Sequence, residues 1–218
     1  LDLVPKALER GPEWAESLQI TVPVGTFTTF YPPGQSRVRN IEVIADKIRG
    51  AVIEPGETFS VNDFTGPRGL AEGYVEGGII LNGRPATGVG GGISQFATTL
   101  FNAAFFAGLD IPDYMMHTIY ISRYPYGREA TLAYGSVDLK IFNNTPYGVL
   151  IWPTYTPDSI TVTLYSSPYA VGAETGQART PAGACTRVTT ERTRLFIDGR
   201  TDVDSFVGLY QPAEGVLC

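Results

Sequence analysis

Hydrophobic and polar positions change period along this chain of 218 residues. Ile41, Ile44, Ala45 and Ile48 recur at helical spacing, with Asn40 ahead of them, Arg49 in the last turn and Gly50 as the stop, so the pattern predicts a short helix capped by Asn40. Glu54-Pro55-Gly56-Glu57 predicts a turn, and Phe59-Ser60-Val61-Asn62 a short extended piece. A second helix is predicted from about Ser94 to Ala107. Phe96, Leu100, Ala103, Ala104 and Ala107 share one face, with Phe101 and Phe105 beside them, so this helix is surrounded by protein.

Beyond it the period falls to two. Val137 to Ile141 and Ile160 to Leu164 alternate strictly, Tyr147 to Trp152 is nearly continuous in apolar residues, and Asn143-Asn144-Thr145-Pro146 and Thr156-Pro157-Asp158-Ser159 supply the turns. The expectation is an antiparallel meander. A break rich in Gly, Ala, Thr and Pro is predicted at 172–183, followed by a hairpin in which Arg187 to Ile197 and Thr201 to Val207 flank Asp198-Gly199. The predicted fold class is α+β: an antiparallel β-sheet packed around a buried central helix, with a small disulfide-closed β-hairpin tail. Three stretches are expected, an N-terminal extension with strands at 1–39, a main domain at 40–169 and the hairpin segment at 170–218.

Composition narrows the class. Sixteen basic and 22 acidic residues give a net charge of -6, which argues against nucleic acid as a partner. Gly (25) and Pro (16) are plentiful and only 17% of residues are charged, as suits many short strands joined by turns. The longest apolar region, Phe96 to Ile111, is interrupted by Thr98, Thr99, Asn102 and Asp110 and falls short of the roughly 20 residues of a spanning helix. No transmembrane segment is expected. The first segment lacks the order of a signal peptide, which suits a trimmed piece of a longer chain or a processed ectodomain.

Cys185 and Cys218 are the two cysteines, and neither sits in a zinc-like context, so no metal and no cofactor is expected. They stand at the start of the last segment and at the final residue, as a disulfide closing that segment requires, and such a bridge implies an extracytoplasmic location. The alternative is a pair of free buried thiols.

Candidate chemistry centres on Gly90-Gly91-Gly92-Ile93-Ser94-Gln95, a glycine run that opens into the apolar helix with a hydroxyl at the junction. The head of a helix carries unpaired N–H groups and the positive end of the macrodipole, a good setting for an anion or a nucleophile. Ser94 also fits a plain N-cap after a tight turn. His117, the only histidine, is either a structural residue beside Tyr114-Met115-Met116 or the general base such a hydroxyl needs. Arg123-Tyr124-Pro125-Tyr126-Gly127-Arg128-Glu129 interleaves guanidinium groups with rings, as a grip on an anionic, glycan-linked substrate requires, although a loop with a surface ion pair has the same pattern. Glu129 and Asp138 are candidates to orient the histidine or the arginines, with simple solvation as the alternative. Glu57, Asp63, Glu72 and Glu76 are carboxylates for a glycosidase alternative, and no spacing singles out a pair.

Several ordered motifs carry a resemblance: Pro55-Gly56-Glu57-Thr58-Phe59-Ser60-Val61-Asn62, Gly66-Pro67-Arg68, Gly73-Tyr74, Gly90 to Gln95, Leu100-Phe101-Asn102-Ala103, Ala107-Gly108-Leu109, His117 and Gly127-Arg128-Glu129-Ala130-Thr131. Together, from about Asn40 to Trp152, they resemble the VanW domain family of bacterial membrane-anchored or secreted proteins. That resemblance implies a cell-wall setting, because some members act as L,D-transpeptidases on peptidoglycan through a cysteine nucleophile. This chain has Ser94 where those members have cysteine, and a hydroxyl is far harder to ionise than a thiol. The departure fits a serine variant of the acyl transfer, an inactive replacement of the cysteine, or a member with another role.

The leading expectation is thus a peptidoglycan-acting acyl transferase, with catalytic Ser94, His117 and Glu129. Amides from Gly91 to Gln95 would serve as oxyanion donors, and Gly91, Gly92, Gln95, Arg123, Tyr124 and Arg128 would contact substrate. The alternatives are a muramidase or lytic transglycosylase using Asp63, Glu72 or Glu76, and a non-catalytic wall-binding module.

Overall fold

The computed structural model describes residues 11–81, 83–213, 215–216 and 218. A short helix, α1 (Pro12–Ser17), leads into β1 (Val22–Phe30). β1 forms one edge of a four-stranded antiparallel sheet in the order β1-β9-β8-β2, with β9 at Ser159–Ser166, β8 at Val149–Thr156 and β2 at Ala51–Ile53. The alternation read in the sequence sets its faces. Ile160, Val162 and Leu164 point into the core, while Thr161 and Thr163 pair their hydroxyls with Thr28 and Thr26 on the other face at 2.7 and 3.1 Å.

Helix α2 (Ser36–Ile48) packs on β8, with Ile41, Ile44, Ala45 and Ile48 buried. It starts four residues before the predicted cap. Asn40 lies inside the helix and is fully buried; its amide donates to Val75 O at 2.8 Å and Gly91 O at 2.9 Å, and its carbonyl accepts from Val75 N at 2.7 Å. A good capping residue is here a brace for the glycine run. Strand β3 (Thr58–Ser60) runs into the one-turn helix α3 (Val61–Thr65), which Ser60 caps by accepting from Asp63 N at 3.0 Å. Strands β4 (Glu76–Leu81) and β5 (Arg84–Val89) form a hairpin that delivers the chain to the glycine run.

Helix α4 (Ser94–Phe106) is the centre of the molecule, with every residue from Gln95 to Phe105 buried. It lies against β1 and β9. At Gly25 a Cβ would sit 2.3 Å from Ala103 O, so β1 crosses the helix where it carries no side chain. The predicted meander is divided between two sheets. Strand β7 (Lys140–Phe142) joins β3 and β6 (Asp110–Asp113) in a separate three-stranded sheet, and only β8 and β9 continue as neighbours.

The C-terminal stretch departs most from expectation. Most of the stretch at 172–183, read as a break, lies in strand β10 (Ala170–Ala182), which pairs along its length with β11 (Cys185–Phe196); β12 (Thr201–Tyr210) completes a three-stranded sheet. Small and polar residues tolerate this strand because much of it is exposed. Val188, Thr190, Arg192 and Phe206 are buried, and Phe206 meets Phe101 and Phe105 of α4 at ring distances of 5.2 and 5.3 Å. Cys185 and Cys218 form a disulfide, closing a loop with a sequence separation of 33. A loop of that length restricts the unfolded chain by about 3–4 kcal/mol in the entropy model. Cys218→Ser is therefore expected to lower unfolding free energy by about 3 kcal/mol, read from urea titrations of the variant against the oxidised protein.

Candidate functional site

Ser94 is the first residue of α4 rather than its cap. Ile93 precedes it in helical conformation and no side chain caps the helix. The half-buried Ser94 hydroxyl is occupied from outside the helix: its Oγ accepts from Leu132 N at 3.2 Å. The next two contacts repeat the pattern. Thr98 Oγ1 donates to Ala130 O and accepts from Ala130 N, both at 3.1 Å, and Asn102 Nδ2 donates to Arg128 O at 3.0 Å. Four residues of helix rise about 6 Å and two residues of extended chain advance about 6.6 Å, so positions 94, 98 and 102 match 132, 130 and 128 step for step. Thr98 and Asn102, two of the polar residues interrupting the apolar run, belong to this seam.

The alternation of the extended segment turns Glu129 to the opposite side. It is fully buried and has two partners, His117 Nδ1 at 2.7 Å from Oε2 and the Tyr210 hydroxyl, which donates to Oε1 at 2.6 Å. A buried carboxylate needs such partners. With Nδ1–H given to Glu129, the lone pair of His117 lies on Nε2. Burial raises the Tyr210 phenol, and the neighbouring Glu129 raises it further, so Tyr210 stays a proton donor. His117 is buried and stacks on Tyr124, with ring centres 5.5 Å apart. The Tyr124 phenol is raised by burial, against the pull of Arg123 and Arg37 beside it. Among the described residues, no direct hydrogen bond joins Ser94 to His117.

Other predicted residues divide. Gly91 N donates to Gly88 O at 3.1 Å and Gln95 N to Gly92 O at 3.1 Å, so two of the five amides expected to face an oxyanion are spent inside the turn. Gln95 is fully buried, and its amide nitrogen binds Thr29 Oγ1 and Phe30 O at 3.0 and 2.9 Å, tying the head of α4 to β1. Arg123 is exposed and lies over the Tyr124 ring. Arg128 pairs with Glu174 at 2.7 Å, donates to Asn102 Oδ1 at 3.0 Å and covers Phe105 and Phe106. Its guanidinium is thus engaged within the fold.

The three alternative carboxylates are not brought together. Glu72 accepts from Gly69 N at 2.8 Å within its own turn, and Glu76 is exposed at the start of β4. Asp63 lines a cleft of about 560 Å3 with Asp113, Tyr114, Tyr134, Asp138 and Lys140. Asp138 braces the local backbone, accepting from Ser60 Oγ, Asn62 N and Leu139 N, and Lys140 pairs with Asp113 at 3.2 Å.

A family model described as "VanW like protein" matches residues 36–165, more than half of the chain. The chain belongs to the VanW-like family. It is 38% identical over 148 residues to the uncharacterized protein YoaR of Bacillus subtilis, covering 67% of this chain and 49% of YoaR. It is 30% identical over 131 residues to the vancomycin B-type resistance protein VanW of Enterococcus faecalis, covering 58% of this chain and 48% of that protein. The chain thus spans about half the length of the curated relatives it matches. No solved structure matches it.

The VanW-like match contains Ser94, His117 and Glu129 but stops before Tyr210. Tyr210 is the site residue that sequence reasoning missed, and no local signal marks it. Only the register of β12 against β11, opposite Thr186, carries that ring to Glu129. Among the described residues no helix is long and apolar enough to cross a membrane, and no cluster of His, Cys, Asp or Glu is arranged to hold a metal ion.

Proposed function

We propose that this VanW-like domain acts outside the cytoplasm on bacterial peptidoglycan, as an acyl transferase on stem peptides. Ser94 is the nucleophile and His117 the general base. The observation that carries this reading is the buried chain from Tyr210 through Glu129 to His117, which fixes the imidazole with its basic nitrogen free. Nε2 takes the Ser94 proton as Oγ attacks the peptide carbonyl, then returns it to the departing amine as the acyl-enzyme forms; an acceptor amine reverses the sequence. In the unliganded protein the proton passes through a bridging water, or the loop carrying His117 tightens on substrate. The Gly92, Ile93 and Ser94 amides at the head of α4 face the developing oxyanion. The wall setting is supported by the similarity to a vancomycin resistance protein, and the location outside the cytoplasm by the disulfide.

A glycan-strand hydrolase is the second reading, favoured by the acidic cleft that Asp63 lines. Mass spectrometry of purified peptidoglycan after incubation separates the two. New crosslinks or exchanged terminal residues are expected with the protein, a loss of at least about 100-fold in Ser94→Ala and a gain in Ser94→Cys. Equal activity in all three proteins overturns the serine mechanism. Cleaved glycan strands establish the hydrolase, and unchanged peptidoglycan that still captures the protein establishes a binding module.

A further inference from the structure

Tyr124 reads in the sequence as a substrate contact, but the structure buries it. The residue is only 4% exposed, and its ring lies on the His117 imidazole with centres 5.5 Å and planes 25° apart. The hydrogen bond between Nδ1 and Glu129 fixes one corner of that imidazole and leaves the ring free to swing about the bond. A second ring packed on its face removes the swing. The far end of Tyr124 is held in turn, because its hydroxyl lies beside the guanidiniums of Arg37 and Arg123. Arg123 is exposed and covers the Tyr124 ring at 5.6 Å. Arg37, near the start of α2, is buried, and its Nε donates to Gln35 Oε1 at 2.8 Å. Its stem crosses the glycine run: a Cβ on Gly92 would meet it at 2.6 to 3.1 Å, and Gly92 holds a φ of 91°, in the left-handed region that favours glycine.

We infer that Tyr124 is a positioning residue for His117, and that Arg37 ties it to the glycine turn ahead of Ser94. A buried guanidinium is costly unless oxygens meet its donors, so Arg37 favours the placement of Tyr124 that brings the hydroxyl to it. Contacts then run in series from Gly92 through Arg37 and Tyr124 to His117, and on through Glu129 to Tyr210. The imidazole is held at its edge by one set of residues and on its face by the other. Gly92 lies two residues before Ser94, so the turn that opens α4 also sets the place of the base, although no direct hydrogen bond joins the two side chains. A misplacement of about 1 Å costs a positioned catalytic group on the order of 100-fold in rate. The effect on rate rests on the acyl-transfer reading; the restraint on the imidazole does not.

His117 is the only histidine, so its ring protons can be followed by NMR without ambiguity. In the parent protein they are expected to carry the ring-current shift of a stacked tyrosine, and Tyr124→Leu to abolish it. Arg37→Met keeps a stem against Gly92 but removes the guanidinium. It is expected to weaken that shift with Tyr124 still in place, whereas unchanged His117 signals in Arg37→Met overturn the tie. On soluble peptidoglycan fragments, Tyr124→Leu and Arg37→Met are each expected to lower kcat by about tenfold to 100-fold with little change in KM. Adding Arg37→Met to Tyr124→Leu is expected to lower kcat no further, because the two act through one contact. A raised KM with kcat unchanged overturns the assignment and makes these residues substrate contacts. If Arg37→Met does not fold, Tyr124→Phe decides by the same readouts, since it keeps the ring and removes only the hydroxyl that Arg37 meets. A parent protein that makes no crosslinks removes the acyl-transfer reading, and the NMR comparison then decides the tie by itself.

Discussion

Replacing Glu129 with alanine is expected to cost about 3–5 kcal/mol of stability, and replacing it with glutamine to cut the acyl transfer proposed for this domain by about 100-fold to 10,000-fold. The two numbers arise from different consequences of one position. Glu129 is fully buried between His117 and Tyr210, so alanine leaves a ring nitrogen and a phenol facing each other across a dry cavity. Glutamine keeps the volume but has only one acceptor oxygen for two donors. Its amide nitrogen then favours the wrong tautomer of His117, in which the proton lies on the nitrogen that should accept it. Urea titration measures the first effect and the initial rate of crosslink formation the second. A glutamine variant with unchanged rate would show that His117 does not act as a base.

The second large effect is expected at Arg192, and it falls on the fold. Its guanidinium is fully buried at the end of α4, donating through Nε and Nη2 to Asp204 at 2.9 and 2.5 Å and through Nη1 to Phe105 O and Leu109 O at 3.1 and 3.0 Å. The last carbonyls of a helix lack internal partners, and a cation there meets the negative end of the dipole. Phe105 and Phe206 cover the group from two sides at 5.2 and 5.0 Å. Arg192→Ala removes the donors to Phe105 O and Leu109 O and the partner of Asp204 and is expected to lose about 3–5 kcal/mol by chemical denaturation. Arg192→Lys recovers only part of this, since it cannot reach the carboxylate and both carbonyls with one flat group. An alanine variant within 1 kcal/mol of the parent would mean that water replaces the guanidinium at the helix end.

Much of the fold was legible where burial imposes a period. The helix at 94–106 and the strand at 159–166 show their faces directly in the sequence, because each buries a defined set of apolar residues. Legibility failed where one residue type serves two purposes. Asn40 has the chemistry of a cap, and nothing local shows that its amide is spent on Val75 and Gly91 instead. Residues 172–183 have the composition of a break, and nearly all of them become strand because β11 offers a complete ladder to pair with. At the site, His117 and Glu129 could be nominated separately, but their contact depends on the segment at 128–132 lying along α4. The buried arginines at 37 and 192 were invisible because charge in a sequence reads as surface.

Tyr210 reaches Glu129 from the last strand, whereas the helix, the histidine and the carboxylate all precede it in the chain. A polypeptide made from its N-terminus therefore carries Ser94, His117 and Glu129 well before it carries the phenol that completes the buried hydrogen-bond chain. Until β12 docks, the Glu129 carboxylate is one donor short. Under the acyl transfer proposed for this domain, competence is thereby tied to the closing event of maturation, and a chain cut short within its final strand would retain His117 and Glu129 without the phenol that completes their arrangement.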